Sequence, residues 1–589
     1  MKAKSFKKEA ASLHICDKPA LNLLIVFFAI FLTVLTISMF FSCQKKEKVE
    51  LLKIGLPEEP KSLNLWLGTD ANSKKILSLI YQPLFTRNPE TLEIIPWLAE
   101  QAPLFDKEKL TYTVKLRNAK WSDGSEFTSS DVLFTKKLFF DFKIPRYYSK
   151  WKAIKQLEAV DKHTIIFHLK KPSAIFLSRV LTAPIVSKKE WENIALKAMK
   201  AEKPLKSLQD HSISNPLGTG PFILSEYKKG AYLHMKKNPY FFGTGQTIAH
   251  HLLGPYVDSI LFKIYGTSDV AILAIKKGDI DMYWWDIQPG YLEDLKKETD
   301  IKIFLNKKSA LYYMGFNLRK PPFNDKALRH AIATVLDKEF ILTRILQNYG
   351  SPMHSIVPSG NTFWYNPNVR RYGDGLTPDD HIRKAWNILK GAGYTWETEP
   401  IDADGNIVSP RGLKLPSGKP MDKFVILTPP ADYDPKRAFA GVMIQEWLRK
   451  LGIPASARPM SFNSLLETVK GKREFDAFIL GYGKLNLDPD YLRPFFHSGY
   501  DKPRGWNMSG YKNIAFDKLA EEQKSIVDIK ERKKIIWKMQ EILMEDIPYI
   551  PLYNPHILEA VSTKNFKGWV EKVNGIGNIW SLCVVKPKD

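Results

Sequence analysis

The residue patterns that could carry chemistry are few in this chain, and most fail at one position. No Gly-x-Ser-x-Gly nucleophile turn, no His-Glu-x-x-His pair and no Gly-x4-Gly-Lys-Ser/Thr phosphate loop occurs. Gly218-Thr219-Gly220 runs into Pro221, which lacks the amide that phosphate cradling would use, so the segment reads as a tight turn before a strand. Asp402-Ala403-Asp404-Gly405-Asn406 begins like a calcium loop, but Ile407 stands where the turn requires glycine and Leu413 where a bidentate Glu belongs. His250 and His251 are adjacent, and adjacent side chains point apart on a helix or a strand. No catalytic residue, metal ligand set or cofactor emerges from these patterns: the chain is not expected to be an enzyme.

Aromatic residues beside turns remain. Trp284-Trp285 close the segment IDMYWW, Phe363-Trp364-Tyr365 follow Ser359-Gly360, Tyr482 lies between two glycines, and Trp506 precedes Asn507. Most such residues pack cores or rims. Open α/β sheets, however, take ligands beyond the carboxyl ends of their strands, in pockets with apolar walls and a few polar anchors. Tyr482, Trp284 and Trp285 have that position, which points to binding rather than catalysis.

Strands and helices alternate around these residues. LLKIGL (51–56), TYTVKL (111–116), HTIIFHL (163–169), DSILFKIY (258–265), IDMYWW (280–285) and EFDAFILGYG (474–483) read as strands. Helical spacing recurs at 74–85, where it breaks at Pro83, and in DVLFTKKLFF, which Ser129-Ser130-Asp131 caps. It recurs at 268–279, closed by Gly278, and again at 325–348, 381–394 and 438–452. Residues 395–423, rich in Pro, Gly and Asp, read as a hairpin or extended loop. This alternation predicts α/β lobes, and 589 residues exceed one compact core.

The N-terminal segment bears on location. Lys2, Lys4, Lys7, Lys8 and Lys18, against Glu9 and Asp17, precede an uncharged run from Leu21 to Ser42. The basic flank holds the N-terminus in the cytoplasm, and the length of the run suits a signal anchor or a lipoprotein signal. Ser42-Cys43 at the end of the run favours lipidation of Cys43, which would anchor the body stably. The bulky Phe40 and Phe41 make this match a relaxed one. With Cys16, Cys43 and Cys583 alone, a disulfide framework is excluded. The net charge of +24 is spread as Lys-Lys doublets among carboxylates, so a solvated basic surface is expected rather than a nucleic-acid site.

Several longer segments stand in a recognisable order. LRNAKWSDGSEFTSSDVLFTKKLF (116–139), NPLGTGPFILSEYKKG with MKKNPYFFG (215–243), KKGDIDM (276–282) and FNLRKPPFNDKALRHAIATVLDKEFI (316–341) come first. AGY (392–394), LDPDYLRPFFHSG (487–499), NMSGYKN (507–513) and ERKKIIWKMQEILMEDIPYIPLYNP (531–555) follow. From about residue 51 to 570 the chain resembles the family 5 extracellular solute-binding proteins, the peptide- and nickel-type receptors of ABC importers.

That resemblance implies a two-lobed, periplasmic-binding-protein-like (type II) α/β fold with an extra α+β domain inserted in the first lobe. Residues 1–42 would be the lipoprotein-type signal segment and 43–50 a tether. Lobe I would comprise 51–92, 216–308 and 556–589, with the extra domain at 93–215 and lobe III at 309–555. The hinge would cross near 308 and 555. Carried over by position, the cleft would be walled by Thr69, Asp70, Trp284, Trp285, Asp286, Tyr312, Tyr482, Lys484, Leu485, Trp506, Asn507 and Tyr553. Tyr147 or Tyr148 would reach in from the extra domain. Peptide receptors of this family often place an aspartate four residues before the Pro of the Asp-Pro turn, to pair with the peptide's amine. Leu485 stands there, beside Lys484. Asp70, Asp286 or Asp488 would have to substitute, or the ligand has no ammonium at that point.

The expected function is a monomeric substrate-binding lipoprotein of an ABC importer, closing on peptides or another small solute and delivering it to permease subunits. It would sit in the cell envelope, in the periplasm or on the outer surface, anchored by lipid at Cys43 or by an uncleaved signal anchor. The alternative is a surface adhesin on the same fold that binds anionic polymers. An exported hydrolase has no residues to support it.

Overall fold

The computed structural model describes residues 50–588; the apolar run, Cys43 and most of the tether lie outside the described residues. Twelve strands make one sheet: β1 (Leu51–Leu56), β2 (Phe222–Lys228), β3 (Tyr232–Lys237), β4 (Ser259–Ile264), β5 (Met282–Tyr283), β6 (Ile301–Lys307), β7 (Leu311–Phe316), β8 (Gly350–Pro352), β9 (Phe424–Thr428), β10 (Ala455–Pro459), β11 (Ala477–Tyr482) and β12 (Tyr549–Ser562). Their order is β10-β9-β11-β7-β12-β5-β1-β4-β3-β2, with β6 and β8 also pairing to β12. The sheet is mixed: β1 runs parallel to β4 and β5, and β9 parallel to β10 and β11, while β12 is antiparallel to all its partners.

β12 belongs to both halves. Its residues 556–562 pair with β6, and its residues 549–553 pair with β7. Most of its residues are buried, so it lacks the alternation of a one-sided strand. The chain returns between β6 and β7, and the Asn554 amide ties the two crossings together. It donates to the carbonyls of Lys308 at 2.8 Å and Ala310 at 2.9 Å.

Period-two alternation divides the core of the second half. On β7 and β11, Met314 and Ile479 face one apolar cluster, while Tyr313 and Phe478 face another. In the first half, Leu52, Ile54 and Phe262 share a cluster with Val114, Ile165 and Phe167. The latter three belong to a separate four-stranded antiparallel sheet of Leu104–Asp106, Thr111–Lys115, Thr164–Leu169 and Ile154–Ala159. The inserted α+β region therefore shares one core with the first half.

The strands at 51–56 and 258–265 stand where the alternation predicts, and Gly278 ends its helix in the left-handed conformation. Other boundaries move for physical reasons. Helix α1 runs Ala71–Ile80, because Asp70 accepts from the Ser73 amide as its N-cap, three residues before the expected start. The Ser129 helix is capped by Thr128, with Asp131 bonding back to the Thr128 amide. The single helix expected at 325–348 is interrupted: Lys326–Val335 ends at Leu336, and Asp337 caps a new start through the Phe340 amide at 2.8 Å. The strand expected over 280–285 is confined to Met282–Tyr283. Past it, the Asp286 carboxylate takes the Leu558 amide at 3.0 Å, and a side chain closes the contact that a ladder would have made.

Candidate functional site

A cavity of about 700 Å³ lies between the halves. The first half supplies one face of α1, Trp284 to Asp286 after β5, Glu559 on β12 and the segment around Lys572–Ile579. The second half supplies the turn Gly483–Leu487 after β11, and Ser178 enters from the inserted region. The volume falls inside the range of about 300–1,000 Å³ usual for small-molecule sites. The 483–487 turn is fixed to the crossing: Leu485 donates its amide to the Ser309 carbonyl, and the Ser309 hydroxyl donates to the Leu485 carbonyl at 2.9 Å.

Trp284 is buried, and Trp285 beside it is 36% exposed into the cleft. The Lys75 ammonium lies 5.0 Å from the first ring and 4.8 Å from the second, and donates to the Trp284 carbonyl. Gly577 has no room for a side chain, since a Cβ there would meet the Trp284 indole nitrogen at 1.8 Å. Gly575, at φ +105°, lets the chain turn so that the Ile576 and Gly577 amides donate to the buried Glu559 carboxylate.

The electrostatics are lopsided. Lys74, Lys75, Arg87, Lys308, Lys484 and Lys572 line the space, against Asp286 and Glu559. Burial pulls Lys75 down to about 7, with Glu559 opposing the shift and Lys484 adding to it. Burial likewise brings Lys572 to about 8, helped by the charges of Lys484 and Arg87. Burial lifts Glu559 to about 7, although the two amides and Lys75 pull the other way.

The wall behind Ser178 is a buried ion pair. Asp488 receives two 2.8 Å bonds from Arg532, on the helix Ile529–Asp546, and a 2.7 Å bond from the Ser178 hydroxyl. Beyond it a smaller chamber of about 320 Å³, with Leu92, Leu177, Phe363 and Trp364 among its walls, shares Arg87 and Ser178 with the cleft.

The sheet thus has two parts joined by one shared strand, with a cavity between them. The family model described as "bacterial extracellular solute-binding proteins, family 5 Middle" matches residues 93–503. The chain belongs to this family. It is therefore a solute-binding receptor, not an enzyme. It is 28% identical over 528 residues to the oligopeptide-binding protein AppA of Bacillus subtilis strain 168, spanning 88% of each chain. The structure of the Bacillus subtilis AppA in complex with a nonapeptide matches at a TM-score of 0.59 and 26% identity, covering 92% of this chain and all of that one. HbpA2 from Haemophilus parasuis matches the fold at a TM-score of 0.73 and 22% identity, covering 92% of this chain and 100% of its own.

In this family 5 receptor, Trp284, Trp285, Asp286, Lys484 and Leu485 come together at the cavity. The other residues expected there lie elsewhere. Asp70 precedes the cavity-lining turn of α1, with its carboxylate engaged by the Ser73 amide and hydroxyl, and Thr69 is exposed beside it. Tyr312 and Tyr553 stack on each other at 4.9 Å, and Tyr553 is 1% exposed. Tyr482 stacks on Phe495 at 4.7 Å, and Trp506 lies under Lys470 at 3.4 Å. Asn507 is buried, its amide spent on the carbonyls of Phe496, His497 and Tyr511. Tyr148 packs edge-on to Phe140 under Lys152, and Tyr147 is buried against Phe139.

Sequence reasoning missed Lys74, Lys75, Arg87, Lys308, Glu559 and Lys572. A signal existed on α1, where Ala71, Lys74, Lys75 and Ser78 fall on one helical face while Ile76, Leu79 and Ile80 are buried. Glu559 and Lys572 had none.

Proposed function

We propose that this receptor captures peptides in the cleft between its halves and hands them to an ABC permease. Lobe I would comprise 51–92, 216–308 and 556–589, with the extra domain at 93–215 and lobe III at 309–555. The observation that carries the reading is the cavity itself, walled by α1, Trp285 and Glu559 from one half and by the 483–487 turn from the other. Binding energy then comes from a closed form that touches the solute on both sides, and the solute shifts the population toward that form. The relatives named for oligopeptide and dipeptide binding support peptides as the solute class. Lipid on Cys43 would hold the body in the cell envelope beside its permease.

The test is calorimetric titration with tri- to pentapeptides, paired with small-angle scattering. The reading expects micromolar or tighter binding, with compaction on saturation. Peptide binding without compaction would remove the closing motion, and no peptide binding would remove the solute class.

A further inference from the structure

Within that receptor reading, on which this inference rests, we propose that the solute is anionic: a short peptide whose carboxylates lie between α1 and the Gly483–Leu487 turn. Six cations line the cleft against two acids. Asp286 is spent on Lys308 and the Leu558 amide, and Glu559 on the amides of Ile576 and Gly577 and the Lys75 charge. That leaves Lys74, Arg87, Lys484 and Lys572 without a carboxylate in the lining. The ammonium groups of Lys74, Lys484 and Lys572 make no hydrogen bond or ion pair among the described residues. These like charges sense one another: Lys484 acts on Lys74, Lys75 and Lys572, and Arg87 acts on Lys572. Cations gathered in a concave, partly desolvated space focus a positive potential there. An entering anion relieves their repulsion and gains hydrogen bonds from donors that lack acceptors.

A cationic solute meets the opposite situation. Asp70 caps α1, Asp286 holds Lys308, and Asp488 is saturated by Arg532, Ser178 and the Asp490 amide. A buried ammonium would have to displace one of these partners or remain unpaired, and both are unfavourable.

The test uses the full-length chain in detergent, titrated with triglutamate, trialanine, trilysine and propane-1,2,3-tricarboxylate. The expected result is triglutamate binding at least about tenfold tighter than trialanine, a preference that weakens with salt, and no detectable trilysine binding. Lys484→Glu and Lys74→Glu, each at an exposed side chain, are expected to erase the preference with Tm unchanged. Equal affinity for triglutamate, trialanine and trilysine would overturn the anion inference and leave the peptide receptor standing. Tight tricarboxylate binding with no peptide binding would uphold the anion site and overturn the peptide class. Binding of none of the four would overturn both.

Discussion

Ser178 donates a 2.7 Å hydrogen bond to Asp488, joining the inserted region to the second half across 310 residues of chain. The same carboxylate is held by Arg532 inside the second half, with both side chains 1% exposed. Ser178 thus touches a group that is already rigid. A neighbouring contact, the Ala174 amide to the Lys524 carbonyl at 2.8 Å, reinforces the meeting of these surfaces.

The Ser178 and Arg532 contacts to Asp488 separate experimentally. Ser178→Ala removes a contact between the halves and is expected to weaken solute binding while leaving Tm nearly unchanged. Asp488→Ala strands the Arg532 charge and is expected to cost about 3–5 kcal/mol of stability in denaturant unfolding. Burial alone would raise the Asp488 carboxyl, but the Arg532 charge and hydrogen bonds outweigh it and hold it well below the usual range. Its stabilisation is therefore present above the ordinary carboxylate pKa and lost as pH falls below it. Wild type is expected to lose more stability in acid than Asp488→Ala does.

Trp285 and Tyr482 were both expected in the cleft, and they now predict different outcomes. Trp285 faces the cavity, so Trp285→Ala is expected to weaken binding about tenfold or more at nearly constant Tm. Tyr482 is stacked on Phe495 and on Tyr313, so Tyr482→Ala is expected to cost about 3 kcal/mol of stability. Calorimetry and thermal unfolding on the two variants distinguish these roles.

Solute affinity carries a pH signature. Lys75, which faces Glu559 and Lys484, loses its proton near 7, and Lys572, which faces Lys484 and Arg87, loses its proton near 8. Glu559 becomes negative near 7. All three changes remove positive charge from the cleft as pH rises. Anion affinity is expected to be highest at about pH 6 and to fall toward about pH 9. A solute bound through its ammonium would show the opposite trend while it stays protonated.

The crossing is testable at Asn554. Asn554→Ala leaves the Lys308 and Ala310 carbonyls without their donor and is expected to cost about 1–3 kcal/mol. Because both crossings lose their tie, scattering from the solute-free protein is expected to show a broader distribution of shapes.

Much of this architecture was legible because its signals are local or come in order. The apolar alternation of β1 and β4, the Gly278 stop and the ordered family segments required no knowledge of the fold. Caps were harder: Asp70 starts a helix before the apolar spacing becomes regular, so that helix begins earlier than expected, and Asp337 interrupts spacing that reads through it, so another breaks in two. The cleft was half legible. Trp285 closes a strand pattern, a position readable from periodicity, and Lys484 came from the family resemblance. Lys75, Glu559 and Lys572 reach the same cavity from opposite ends of the chain, and the pairing of β12 with β5 and β6 carries the C-terminal residues back to the first half. Of the Lys74-Lys75 doublet, Lys74 is exposed as a surface reading expects, and both also line the cleft.

The most direct measurement of the central claim is native mass spectrometry after incubation with a tripeptide library of mixed charge, followed by denaturation and identification of what is released. The account predicts that wild type retains peptides enriched in Asp and Glu, and that Trp285→Ala and Lys484→Glu retain far less of them. Retention of the same peptides by wild type and both variants would place the solute outside this cleft and contradict the account.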